Sequence, residues 1–240
     1  MSGTASARET SPKQAAEDVY LDLARWPRRE AYHFFRGFNQ PFFGLCTRVD
    51  AAPLKAAVTS LGRPASLSLA YHFIALRLAN QLEPMRYRLE GDRVRVHPVV
   101  HGGATVLRDD DSFGFAYIDH HDDFAAFCAQ AAPAVESCRT GSVPFDPRPG
   151  DTAIIHFTTL PWVHFTSFSH ARQVGLADSV PKIAFGRIDA EATPAGGRRL
   201  WLPLSVEVHH GLMDGLHAGR FVQAFEAALA QPAPWLAGAA

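Results

Sequence analysis

Apolar side chains recur along this chain with two different periods, and the switching between them predicts a mixed α/β protein. In "FFGLCTRVDA", residues 42–51, apolar and polar positions alternate well enough for a strand. Pro53 then opens "LKAAVTSLG", and Gly62 supplies a stop, so this segment reads as a short helix. "SLSLAYHFIALRLANQL" places Leu67, Tyr71, Ile74, Leu78 and Leu82 at helical spacing, with Pro84 marking the end. "YRLEGDRVRVHPVV" predicts a hairpin turning at Gly91-Asp92. Residues 122–138, "DDFAAFCAQAAPAVESC", are helical in pattern with an interruption expected near Pro133, and "SVPFDPRPGD" follows as a proline-rich loop. Beyond it, "TAIIHFTTLPWVHFTSFS" (152–169), "IAFGRI" (183–188) and "RRLWLPLSVEV" (198–208) are rich in strand formers, with "PAGG" near Pro194 as a turn between two of them. "GLHAGRFVQAFEAALA" spaces Leu216, Phe221, Phe225 and Leu229 along a closing amphipathic helix. There is no internal repeat. The expectation is one α/β domain around a mixed sheet over residues 18–240, beginning near "VYLDLARW", with residues 1–17 as a polar, loosely attached leader.

Composition then acts mainly by exclusion. The chain has 240 residues, 47% of them hydrophobic, enough to bury a sizeable core. Lys and Arg number 23 against 24 Asp and Glu, so no charge excess draws it to nucleic acid or to an anionic membrane. Its apolar runs fall short of the roughly 20 residues of a membrane span, and the polar N-terminus lacks the apolar region of a signal peptide, which predicts a cytoplasmic protein. Cys46, Cys128 and Cys138 are odd in number and show no CxxC spacing; they are expected to be unreactive thiols rather than a disulfide framework or zinc site. The run Asp119, His120, His121, Asp122, Asp123 is expected to be a solvated helix start and not a metal site, so no metal is anticipated.

The chemistry concentrates in "VEVHHGLMDGLHAGRF", residues 206–221. Alternation along the strand sends His209 and His210 to opposite faces, so one of them is the reactive residue. His210 stands where the strand gives way to a turn, a place from which a rigid element can present a neutral imidazole as a general base. Asp214 could orient the imidazole, cap the next helix or pair with a distant Arg, and spacing does not choose among these.

With these residues in view, the sequence resembles the chloramphenicol acetyltransferase family over nearly the whole folded chain. "RWPRREAYHFF" is similar to the family's N-terminal segment, "HHDDF" recurs in its members, "LPWVHFTSF" looks like its central strand, and "LPLSVEVHHGLMDGLHAGRF" carries its His-His-x-x-x-Asp-Gly signature. The signature alone is shared with dihydrolipoyl acyltransferase and peptide-synthetase condensation domains; the four segments in order are more specific. The resemblance implies a two-layer mixed sheet packed with helices, as in CoA-dependent acyltransferases, and a homotrimer with active sites between subunits. It implies an O-acetyltransferase with no bound cofactor: acetyl-CoA is co-substrate, His210 is the base that deprotonates an acceptor hydroxyl, and no acyl-enzyme forms. By the same resemblance Asp214 pairs with Arg28 to hold the site's shape, Thr158 supplies the hydroxyl donor to the oxyanion, and Trp162 and Arg187 meet CoA. Ile188 stands where the family often has Tyr, and Ala184 where it often has Thr.

The acceptor pocket departs further. Phe168 keeps an aromatic of the family pocket, but three apolar neighbours become His170, Arg172 and Lys182. Unpaired cations against chloramphenicol would be costly. Either these side chains reach solvent and chloramphenicol is the acceptor, or the pocket takes a more polar, even anionic, hydroxyl compound; the second is the expectation. A condensation domain is expected to need about twice this length, and a dihydrolipoyl acyltransferase to carry a lipoyl domain ahead of its core. The rival from another class is a non-catalytic trimer of the same fold that binds CoA or another ligand.

Overall fold

A computed structural model describes residues 19–172 and 178–237. The leader expected over residues 1–17 lies outside the described residues. Strand β1 (Val19–Tyr20) and helix α1 (Arg29–Phe35) precede β2 (Phe42–Asp50). Helix α2 (Ala52–Leu61) has Pro53 in its first turn, and just past its end Gly62 has φ 70°, a left-handed conformation that glycine adopts without Cβ strain. Helix α3 (Leu67–Gln81) is capped by the Ser66 hydroxyl, which accepts from the Leu69 N–H at 3.1 Å. More of its circumference is buried than the predicted stripe, because Ala70, Phe73, Ala75 and Leu76 are covered as well. Strands β3 (Tyr87–Glu90) and β4 (Arg93–Val96) form the predicted hairpin, to which β1 adds a third strand.

Strands β5 (His101–Leu107) and β6 (Phe113–Ile118) are two elements absent from the sequence-based expectation. Two glycines in β5 lack the β-branched bulk that marks a strand, but they suit close packing: a Cβ on Gly102 would lie 3.3 Å from the Phe157 ring. Helix α4 (Phe124–Arg139) starts at Asp123, whose carboxylate accepts from the Ala126 N–H at 2.7 Å, and it runs without a break through Pro133, contrary to expectation. Burial of Phe124, Phe127, Cys128, Ala131 and Cys138 on both sides of the proline outweighs the lost backbone bond. Of the strand-rich stretch 152–169, only β7 (Ile154–Leu160) is a strand, since Pro161 ends the ladder.

Strand β8 (Lys182–Gly186), β9 (Asp189–Ala192) and the 12-residue β10 (Arg198–His209) complete the main sheet, ordered β2-β10-β8-β7-β5-β6 with β9 on the early part of β10. Pro203 falls in the gap between the β9 pairing at 198–201 and the β8 pairing at 204–207, where its missing N–H breaks neither ladder. Helix α5 (Gly215–Ala230) buries Phe221, Phe225 and Leu229 as expected, but Leu216 is 59% exposed. The short α6 (Ala233–Leu236) follows.

One face of the sheet meets the helices: Phe157, Ile183, Phe185, Leu204, Val206 and Val208 share a core with residues of α2, α3, α4 and α5. Register fixes what the opposite face carries. One row crosses Thr158, Ala184, Ser205 and Cys46; the next crosses His156, Lys182, Glu207 and Gly44. Arg88, 1% exposed, joins the small sheet to the large one by donating to the carbonyls of Met85, Tyr87, Thr152 and Ile154 at 2.7–2.9 Å. No helix among the described residues is long and apolar enough to cross a membrane.

Candidate active site

The end of β10 sets the site. His209 is 2% exposed, and its Nδ1 lies 3.1 Å from the Gly211 N–H, which donates to it; burial pushes its pKa down to about 4, so it stays neutral. His210 is half-buried, its ring stacked on Phe35 with centroids 3.8 Å apart and tilted against Phe43 at 4.7 Å. Its backbone N–H donates to the Pro41 carbonyl at 2.6 Å, and its own carbonyl accepts from Arg28 Nη2 at 2.8 Å. Its Nδ1 is buried with no hydrogen-bond partner among the described residues.

Arg28 also pairs through Nη1 with Asp214 Oδ2. The other oxygen of Asp214 accepts from the Leu216 N–H at 3.0 Å and contacts His217 Nδ1 at 2.7 Å, so Asp214 caps α5 and pairs with Arg28 at once. Among the described residues neither oxygen hydrogen-bonds to His210; Arg28, bound to both Asp214 and the His210 carbonyl, links the two. Burial alone would raise the Asp214 carboxyl; the His217 contact and the Arg28 charge outweigh it and leave its pKa lowered.

Beside this strand end opens a cleft of about 1030 Å³ whose walls include Phe42, Phe43, Phe168, His170, Arg172 and Glu207. The cations that sequence reading placed here are neither free nor solvated. Glu207 Oε1 accepts from Arg172 Nε at 2.7 Å, and Oε2 accepts from the His170 backbone N–H at 3.0 Å. Arg172 Nη1 donates to Asp178 Oδ2 at 3.1 Å. Burial opposes ionisation of Glu207, but the bonds from His170 and Arg172 prevail and hold its pKa at about 2. Lys182 lines a separate cavity of about 810 Å³, not the cleft, and its Nζ donates to the Ala171 carbonyl at 2.7 Å. Glu207 and Asp178 escaped the sequence reading because their partners lie far along the chain or outside any periodic segment; Glu207 stood within the quoted motif as one more strand residue.

Thr158 lies elsewhere on the sheet, half-buried, in the row of Ser205. Two strand spacings of about 4.8 Å and five residues at about 3.3 Å each put it roughly 19 Å from His210 within one chain. On Thr158's face, at the β6 edge, Phe113 and Phe115 form an aromatic cluster with Phe145, ring centroids 5.3–5.7 Å apart. Trp162, 56% exposed, and Arg187 are neighbours: Arg187 Nη1 donates to the Trp162 carbonyl at 3.2 Å and its Nε to Asp189 Oδ1 at 3.1 Å. Ile188 faces a cavity of about 510 Å³ that also carries Lys55 and Arg198, two cations not singled out from sequence.

Cys128 and Cys138 are buried and Cys46 is exposed, all as free thiols; burial raises the Cys128 pKa to about 11. Among the described residues no group of three or more His, Cys, Asp or Glu side chains is placed to hold a metal. In the His-rich run, His101 pairs with Asp119 at 3.2 Å and His120 with Asp122 at 3.5 Å.

The family profile described as chloramphenicol acetyltransferase matches residues 18–226. A chloramphenicol acetyltransferase of Streptomyces acrimycini is 32% identical over 221 residues, spanning 90% of this chain and 96% of its own. Chloramphenicol acetyltransferase 3 of Escherichia coli is 26% identical over 204 residues, 84% and 92% of the two chains. Among solved structures, a chloramphenicol acetyltransferase superposes with a TM-score of 0.75 at 24% identity, over 88% of this chain and 99% of the other. Azotobacter vinelandii dihydrolipoamide acetyltransferase superposes at 0.64 with 21% identity, over 87% and 88%. Both superpositions speak to the fold.

Proposed function

This chain belongs to the chloramphenicol acetyltransferase family of acetyl-CoA-dependent acetyltransferases, and we propose that His210 is its general base, acting on a neutral hydroxyl compound of the chloramphenicol type. The observation that carries this reading is the brace behind His210: Arg28 holds both the His210 carbonyl and Asp214, and Phe35 and Phe43 fix the ring plane. With Nδ1 buried, Nε2 is the nitrogen that faces an acceptor. It takes the hydroxyl proton as the oxygen attacks the thioester carbonyl. The new C–O bond pushes the carbonyl electrons onto oxygen, where the Thr158 hydroxyl donates to the oxyanion, a contact worth roughly 3–4 kcal/mol in comparable sites. Collapse breaks the C–S bond, and the imidazolium returns its proton to the departing CoA thiolate.

A separation of roughly 19 Å between His210 and Thr158 is too great for one site within one chain. It supports a homotrimer in which His210 of one subunit meets Thr158 and the Phe113, Phe115 and Phe145 cluster of the next. CoA then lies along Trp162, with Arg187, Lys55 and Arg198 near its phosphates.

The acceptor expectation shifts with the ion pairs. The sequence favours a more polar, even anionic, hydroxyl compound because His170, Arg172 and Lys182 have no evident partners there, but Glu207 and Asp178 engage them within the chain. A neutral, aromatic acceptor then meets no uncompensated charge. The test is CoA thiol release from acetyl-CoA, with chloramphenicol against anionic hydroxyl compounds and His210→Ala as blank. Turnover of chloramphenicol that vanishes in His210→Ala is expected. Release that persists in that variant removes the base assignment, and no release with any acceptor returns the chain to a ligand-binding role.

A further inference from the structure

Glu207, Arg172 and Asp178 form a continuous ion-paired chain: one carboxylate lies 2.7 Å from Arg172 Nε and the other 3.1 Å from its Nη1. All three side chains are at most 17% exposed. The guanidinium also lies 3.8 Å from the Phe42 ring centroid and donates to the Val180 carbonyl at 2.9 Å. Arg172 is therefore fixed on four sides. Its position in the molecule gives that rigidity a use, because Arg172 and Asp178 line both the 1030 Å³ cleft and the 810 Å³ cavity behind it. Among the described residues Arg172 and Asp178 border both spaces, and Glu207 borders the cleft. Glu207 ties Arg172 to β10, whose last residue, His209, also lines the cleft and directly precedes His210.

We propose that this Glu207–Arg172–Asp178 partition is the specificity-determining element of the acceptor cleft, closing its back wall and cancelling its charge, so that compact neutral acceptors are taken and anionic ones refused. The inference rests on reading the cleft as the acceptor site. Two carboxylates against Arg172 and the nearby Lys182 leave the wall close to neutral. Removing one carboxylate charge while keeping its shape leaves a buried cation facing the cleft, where an anionic substituent would neutralise it. Removing Arg172 opens the cleft into the cavity behind.

The experiment measures kcat/KM for chloramphenicol and for two analogues that keep its reactive hydroxyl, one with a carboxylate replacing the ring nitro group and one with a succinyl group replacing the dichloroacetyl. Wild type and Glu207→Gln are compared, with Asp178→Asn as a second variant that leaves β10 untouched. In at least one substitution, the kcat/KM of at least one anionic analogue relative to chloramphenicol is expected to rise about tenfold, the scale of one uncompensated charge in a partly buried site. If both variants melt as folded proteins and neither ratio moves more than about twofold, the partition does not set specificity. Arg172→Ala is expected to raise the relative kcat/KM of an N-hexanoyl analogue, and a lower value there would show that the wall does not limit depth. Failure of the acetyltransferase reading is distinct from either result, because wild type would then show no His210-dependent release with chloramphenicol itself.

Discussion

His210 owes its position to groups distant from it in the chain. Arg28 donates to the His210 carbonyl and to Asp214, and Asp214 in turn caps α5. Arg28→Ala therefore strips partners from a half-buried carboxylate and a carbonyl, and a loss of about 2 kcal/mol in unfolding free energy is expected together with reduced acetyl transfer. Urea titration and the thiol-release assay check the two effects side by side; an unchanged titration midpoint would detach Arg28 from the brace. The His-His-x-x-x-Asp-Gly spacing made His210 and Asp214 visible as candidates in the sequence, and only the resemblance pointed to Arg28, because a pair 186 residues apart leaves no local periodicity. Glu207 gives no local signal for the same reason, its partner Arg172 being 35 residues away.

At the level of elements, the small three-stranded sheet hangs on Arg88, whose guanidinium serves four backbone carbonyls and has been driven by burial to a pKa of about 9. Arg88→Met would leave those carbonyls unpartnered in the interior. An expected cost of about 3–5 kcal/mol follows, and faster hydrogen exchange in β3 and β4 than in β10 would locate it; uniform exchange would assign the loss elsewhere. Element types were largely legible: α2, α3, α5, the β3–β4 hairpin and β10 all follow their hydrophobic period. Strand β5 was not, since Gly102 suits a close approach to the Phe157 ring rather than strand propensity. Pro133 misled in the other direction, its local penalty being smaller than the burial of the helix around it.

For the molecule as a whole, two predictions reach beyond any one element. His72, His97, His156 and His209 all have pKa values pushed down to about 4, with burial the largest cause in each. Unfolding raises them toward about 6.5, so the unfolded chain binds more protons between those values and stability falls as pH drops from about 6.5 to 4. Calorimetric melting across that window should show a falling Tm with proton uptake on unfolding; a flat profile would contradict neutral burial of these rings. The second prediction concerns assembly. If His210 and Thr158 meet between subunits, co-expressed His210→Ala and Thr158→Val chains mix at random, and about a quarter of the sites regain both groups. Activity near that fraction of wild type, from two variants each far less active alone, is the expected outcome; no recovery in verified mixed oligomers would put both groups in one chain. The sequence by itself determined the α/β class, most element types and a candidate general base, because these are written in side-chain period and in short motifs whose members lie within a few residues of one another. Tertiary structure alone decided that His170, Arg172 and Lys182 face carboxylates instead of solvent or ligand, and that Thr158 lies two strands away from the strand of His210. Sheet register and loop packing set those neighbours, and both are settled by burial summed over the whole core rather than by any local stretch of chain.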